Sequence, residues 1–182
     1  MSNMPLSMQN VTKTFGAFTA VDNLDLEVPQ GAIIGFLGPN GAGKSTLLRM
    51  MSGQAKPSTG QVWVAGGDPR SDAEARGRVG LVPQQDGVFE RENLLDVVRL
   101  GAILSNVPNP DAVARQALET VELDPSIDRP VGAFSKGMRQ RVKIASALVH
   151  DPTVLMLDEP LNGLDPKQRR QMIGLFQQLG SS

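Results

Sequence analysis

The chain contains no cysteine, which excludes disulfide bridges and metal sites built on thiolates. Its formal net charge is only −1, so it carries no large positive field of the kind that binds nucleic acid. No apolar run approaches the roughly 20 residues that a membrane-spanning helix needs. The opening Met1-Ser-Asn-Met-Pro-Leu lacks the charged start and apolar core of a secretory signal. Internal repeats and low-complexity tracts are also missing. What is present is an ordinary soluble globular composition, 40% hydrophobic and 20% charged over 182 residues, long enough for one domain with a real core. Thirteen prolines and nineteen glycines punctuate many short elements.

One stretch stands out against this background. Gly38, Pro39, Asn40, Gly41, Ala42, Gly43, Lys44, Ser45 and Thr46 fit the spacing G-x-x-x-x-G-K-[ST]. The glycines let backbone N–H groups turn inward into a nest for phosphate oxygens. Lys44 places a compact positive charge on the β- and γ-phosphates, and the Ser45 hydroxyl suits Mg²⁺, which prefers oxygen ligands. By composition the pattern arises by chance in about 1% of chains this long, so its surroundings decide. It follows the apolar run 31–37, which reads as a buried strand, and precedes residues 44–52, which read as a helix closed by Gly53. A helix beginning there points its positive end at the same anion. The reading is a site for a nucleoside triphosphate with Mg²⁺.

Taken in order, residues 6–15 read as a strand ending at Gly16. Leu24, Leu26 and Val28 alternate with Asp25 and Glu27, the period of a half-buried antiparallel strand. Residues 61–65 and 78–84 read as further short strands. From about Leu94 to Leu123 the period becomes helical, broken at residues 107–111. Leu94, Val97, Val98, Gly101 and Leu104 share one face, and Val113, Ala117, Leu118 and Val121 another. Ser135 reads as the cap of a helix running to about Val149. Residues 153–157 form an uninterrupted apolar run, expected as a strand buried on both faces of a parallel sheet. A last helix follows Pro166, with Met172, Leu175, Phe176 and Leu179 on one face and Gly180 as its stop.

The run 153–157 ends in Asp158 and Glu159. An apolar strand followed by two acids is the usual partner of a phosphate loop. Asp158 would hold the metal through its water shell, and Glu159 would orient and deprotonate the attacking water. Phosphoryl transfer asks mainly for positioning and charge neutralisation.

This ordered set resembles the nucleotide-binding subunit of ABC transporters, over essentially all of the chain. Residues 134–138 (Phe-Ser-Lys-Gly-Met) stand where the family's LSGGQ signature belongs, and residues 162–165 (Asn-Gly-Leu-Asp) resemble its D-loop. The resemblance implies an α/β P-loop NTPase with a parallel core sheet, an N-terminal antiparallel β-subdomain and a helical insert. The insert would occupy about residues 90–150 of a single domain, 1–182. It also implies that Gln84, at the Q-loop position, contacts nucleotide and Mg²⁺. Ser135 and Gly137 would meet the γ-phosphate of ATP held by a second subunit, so that two copies enclose two nucleotides. At a helix N-terminus a hydroxyl, free N–H groups and the dipole suit that role, and Ser135 can be a simple cap as well. Two readings are open for Phe15: stacking on adenine, or core packing. The chain departs from the signature at Lys136, where the family has glycine, and at Met138, where it has glutamine. Lys136 adds positive charge, and neither change is read as inactivating. Residues 85–93 resemble the loop that receives a permease's coupling helix, shortened before Arg91; Phe89 is either its apolar anchor or packed on the next helix.

The family's domain continues into a further strand ending in a histidine that touches the γ-phosphate. His150, the only histidine, precedes Asp158 and reads as a helix-end residue instead. The expectation is therefore a shortened domain, with a gap in its sheet, poor stability and little hydrolysis. The resemblance implies an ATPase subunit that powers a membrane transporter, most like the ABC-2 exporters. It would be cytoplasmic, held at the inner face of the membrane by a transmembrane permease and paired with a second ATP-binding subunit as a homodimer. Two alternatives stand beside it. One is a soluble ATPase acting on ribosomes or DNA, which a single domain without basic linker or heptads disfavours. The other is a truncated regulator that binds ATP without hydrolysing it, which the presence of Glu159 disfavours and the missing histidine favours.

Overall fold

The structure, a computed structural model, describes residues 4–85 and 89–181. The chain divides into two compact units. The first runs through Val79 and takes in Gly180 and Ser181; the second is Gly80–Leu179.

In the first unit, β1 (Leu6–Phe15) is the middle strand of a three-stranded antiparallel sheet, flanked by β2 (Phe18–Val28) and β3 (Thr59–Val64). β1 and β2 form a hairpin that closes on the pair Phe15↔Phe18 and opens to Leu6↔Val28. Leu6 and Met8 face the core, and strict alternation would place Asn10 there next. Instead Asn10 takes φ +49°, donates its N–H to Asp25 Oδ1 at 2.7 Å, and bulges out, so that Val11 is the next buried residue. On β2 the half-buried Leu24, Leu26 and Val28 alternate with exposed Asp25 and Glu27, as their spacing predicts. Val62 and Val64 of β3 are buried as well. The helix α1 (Lys44–Met51) buries Leu47, Leu48, Met50 and Met51.

Two features of this unit depart from the expectations. Residues 31–37 form no strand, and their apolar side chains stay open: Ile33 is 59% and Leu37 97% exposed. An apolar run becomes a buried strand only where neighbouring backbone supplies ladder partners. Among the described residues none pairs with this one. The short helix α2 (Ala73–Gly77) was not anticipated, because five residues are too few to show a period. Its signal is Asp72, whose carboxylate accepts the N–H groups of Glu74 at 2.8 Å and Ala75 at 3.3 Å.

The second unit is mostly helical. β4 (Val79–Val82), which begins at the boundary, pairs with β5 (Val154–Leu157). α3 (Leu94–Leu104), α4 (Pro110–Thr120) and α5 (Lys136–Leu148) share one apolar core with α6 (Pro166–Gly180). Leu94, Val98 and Ala102 of α3 meet Ala117 and Leu118 of α4, Ile144 and Ala145 of α5, and Met172 and Leu175 of α6. The helical faces thus fall where their periods put them, except that Leu104, at the last turn of α3, points to solvent. β5 is also less enclosed than an unbroken apolar run suggests, since only Met156 is fully buried. His150 sits just beyond α5, whose C-cap is Val149. Val154, Leu155 and Leu157 of this two-stranded sheet are half-buried.

Candidate functional site

Each unit carries part of the sequence-predicted site. In the first, residues 38–43 loop into α1. Gly41 and Gly43 have φ +85° and +81°, values that side chains with a Cβ rarely adopt. Gly43 is the N-cap of α1, and a Cβ there would run into the backbone carbonyl of Ala20 on β2. Glycine is required both for the turn and for that close approach. The Ala42 N–H donates to Pro39 O at 3.2 Å, and Leu47 N–H to Gly43 O at 2.8 Å, which starts the helix. Lys44 folds its ammonium back over the loop, donating to Gly38 O at 2.7 Å and to Pro39 O at 2.8 Å. Asn40, Ala42 and Ser45 are exposed, and Thr46 is half-buried. Phe15 is 55% exposed at the hairpin tip, with the Lys13 ammonium 5.0 Å from its ring centre. That exposure does not fit the core-packing reading.

In the second unit the two acids follow β5 directly. Asp158 donates its N–H to Val82 O at 3.0 Å, extending the β4–β5 ladder by one residue. Glu159 then breaks from the strand with φ +49°. Gln84 Nε2 donates to Glu159 Oε2 at 2.7 Å, so two candidate residues 75 positions apart are in contact. With its nitrogen so engaged, Gln84 has its carbonyl oxygen left as an acceptor. Sequence reasoning missed two neighbours. Asn162 Nδ2 also donates to Glu159 Oε2, at 3.1 Å. Lys143 Nζ of α5 donates to Pro83 O at 3.1 Å, beside Gln84. The spacing of Glu159 and Asn162, ends of one tight turn, was a local signal for the first; nothing local marks the second.

The signature-like residues stand at the start of α5. Ser135 Oγ accepts the Met138 N–H at 3.2 Å, a working N-cap. Phe134 is buried, with the Arg129 guanidinium 4.7 Å above its ring and Arg129 Nη2 3.6 Å from Met138 Sδ. Gly137 is buried, and Lys136 lies across Gly163 so closely that a Cβ at 163 would run into its ammonium. In the loop before it, the Ser126 N–H and hydroxyl hold the Asp124 carboxyl below its ordinary value, against a smaller opposing effect of burial.

Asp165 begins α6 with a reciprocal cap. Its carboxylate accepts the N–H groups of Lys167 and Gln168, both at 2.8 Å, while Gln168 Oε1 accepts the Asp165 N–H at 3.3 Å. Pro166 at the first helical position needs no acceptor. Asp165→Ala is expected to destabilise this unit by about 1 kcal/mol. A urea unfolding curve identical to that of the parent chain would show that the cap contributes nothing.

Phe89, the sequence-predicted anchor, is 44% exposed, while residues 86–88 of the same loop lie outside the described residues. Among the described residues, no three His, Cys, Asp or Glu side chains are grouped to hold a metal. No described helix is long and apolar enough to cross a membrane.

The family model for ABC transporters matches residues 21–162, most of the chain. The chain belongs to the ABC transporter family. The fold agrees, an α/β P-loop NTPase cassette with an antiparallel N-terminal sheet, a parallel sheet and helices. Among ABC relatives, the Fe(3+) ions import ATP-binding protein FbpC of Escherichia coli (strain K12) is 40% identical over 169 residues, covering 92% of this chain and 49% of its own length. The Nod factor export ATP-binding protein I of Burkholderia orbicola (strain AU 1054) is 42% identical over 177 residues, covering 94% and 58%. The dimeric post-hydrolysis structure of the ABC cassette MJ0796, bound to ADP and Pi, superposes with a TM-score of 0.80 at 28% identity, covering 96% of this chain and 82% of that one. The chain spans about half the length of the curated relatives it matches.

Proposed function

We propose that this chain binds ATP with Mg²⁺ and hydrolyses it to drive a membrane transporter. The observation that carries the reading is the glycine loop 38–43 running into α1 with Lys44 at its first turn, within a chain matched by the ABC transporter model. Lys44 exchanges its two carbonyl acceptors for phosphate oxygens, and the loop N–H groups of residues 41–46 surround the same anion. Phe15 offers its open face to the adenine. The candidate metal donors are the Ser45 hydroxyl, the Gln84 carbonyl and the Asp158 carboxylate, all oxygens, as Mg²⁺ requires. Such an ion relies on substrate phosphates and water for the rest of its shell. When bound, it supplies charge neutralisation on the β- and γ-phosphates. Glu159 orients a water whose oxygen bonds to the γ-phosphorus as the β–γ bridging bond breaks, and takes that water's proton.

Ser135 and Gly137, at the start of α5, serve the nucleotide of a second copy, a reading supported by the dimeric relative. The second partner is a transmembrane permease that holds the chain at the inner face of the membrane, with Phe89 as an apolar contact. We read the direction as export, on the 42% identity to a Nod factor export protein; the 40% identity to an Fe(3+) import protein keeps import as the second reading. Substrate uptake into inside-out vesicles on adding ATP would mean export, and uptake into intact cells import. The decisive assay for the chemistry is phosphate release by the purified chain in millimolar Mg-ATP. Release above the protein-free rate is expected. Tight ATP binding without release would sink the hydrolysis reading in favour of a regulator.

A further inference from the structure

Asn162 touches the proposed base twice. Its backbone N–H donates to Glu159 O at 3.1 Å, closing the turn, and its side-chain Nδ2 donates to Glu159 Oε2 at 3.1 Å. Gln84 reaches the same oxygen from the other strand at 2.7 Å. Glu159 sits at φ +49°, off the direction of β5, so no strand ladder fixes where its side chain goes. Two amide donors therefore fix it instead. Both meet Oε2, which leaves the lone pairs of Oε1 to receive a proton.

We infer that Asn162 is a positioning residue for Glu159, locking its carboxylate so that Oε1 is the oxygen presented to the attacking water. This rests on the reading of Glu159 as the base. Asn162 itself makes no contact with nucleotide or metal in this scheme; it acts only through the carboxylate. Gly163, next in the turn, has φ +70° and lies under Lys136, so the turn is also held from the α5 side.

The test compares the full chain with Asn162→Ala, Asn162→Ser and Glu159→Gln. Loss of one hydrogen bond to a charged acceptor is expected to lower kcat about tenfold, with KM for Mg-ATP and equilibrium ATP binding unchanged. Asn162→Ser, which keeps a donor, recovers part of the loss. On the Glu159→Gln background, Asn162→Ala adds nothing further; a full additional loss means a general structural role and overturns the inference. One readout is independent of turnover. The side-chain amide resonances of Asn162, identified by their disappearance in Asn162→Ala, shift in the nucleotide-free chain when Glu159→Gln removes the charged acceptor. Resonances that stay in place overturn the inference whatever the rate of hydrolysis. A shift in a chain that releases no phosphate keeps the contact and removes the hydrolysis reading instead.

Discussion

Replacing Glu159 with glutamine is expected to lower ATP turnover by about 10²–10³-fold while leaving ATP binding intact. The two side chains have the same shape, and the glutamine carbonyl still accepts from Gln84 and Asn162, which reach Glu159 Oε2 at 2.7 Å and 3.1 Å. What disappears is the group proposed to take the water's proton. Nucleotide then stays bound and intact, and the two-copy state that encloses it accumulates. Phosphate release and gel filtration in Mg-ATP read both effects. Turnover equal to that of the parent chain would remove Glu159 from the role of base.

Gly43→Ala should act at the binding step. Two constraints meet at this residue: a backbone with φ +81° and the carbonyl of Ala20 where a Cβ would go. Neither can be relieved without moving the loop away from β2 or turning its N–H groups out of the nest. The strain alone costs about 1–3 kcal/mol, and ATP affinity should fall by about 100-fold because each misdirected donor is lost to the phosphates. Gly41→Ala is the internal comparison, since φ is +85° there but nothing lies within 4 Å of the added atom. It should be clearly milder. Titration with a fluorescent nucleotide and urea unfolding read the two parts separately, and parent-like affinity in Gly43→Ala would mean that nucleotide does not bind in this loop.

The phosphate loop was legible in the sequence because its chemistry is local: every group it needs lies within nine consecutive residues. The half-buried alternation of Leu24, Leu26 and Val28, and the faces of α4 and α6, were legible for the same reason, as periods written in neighbouring residues. Residues 31–37 show the limit. Their composition fits a buried strand, but strand formation depends on backbone brought from elsewhere, which no local pattern records. The motif positions Gln84 and Glu159 were found singly; that they touch is a property of the β4–β5 pairing, and the approach of Lys143 to Pro83 depends on where α5 lies beside the end of β4. Asn162 stands out in the sequence only within the D-loop-like residues 162–165 and not as a partner of Glu159, because a motif's spacing does not record where an amide points.

In the proposed nucleotide site, the ammonium of Lys44 is closed onto the carbonyls of Gly38 and Pro39, and this bears on how nucleotide would enter. An incoming phosphate does not meet a bare cation; it must first compete with the loop's own oxygens. Association becomes a ligand exchange at one nitrogen, in which neutral acceptors leave as charged ones arrive. The exchange is favourable, since hydrogen bonds to charged oxygens are the stronger kind. It also keeps the lysine folded and shielded between turnovers, so that it waits in a defined rotamer instead of searching for one. The loop's carbonyls thus act as a placeholder for the phosphate oxygens, and the hydrogen bonds given up to them are subtracted from the net strength of loading.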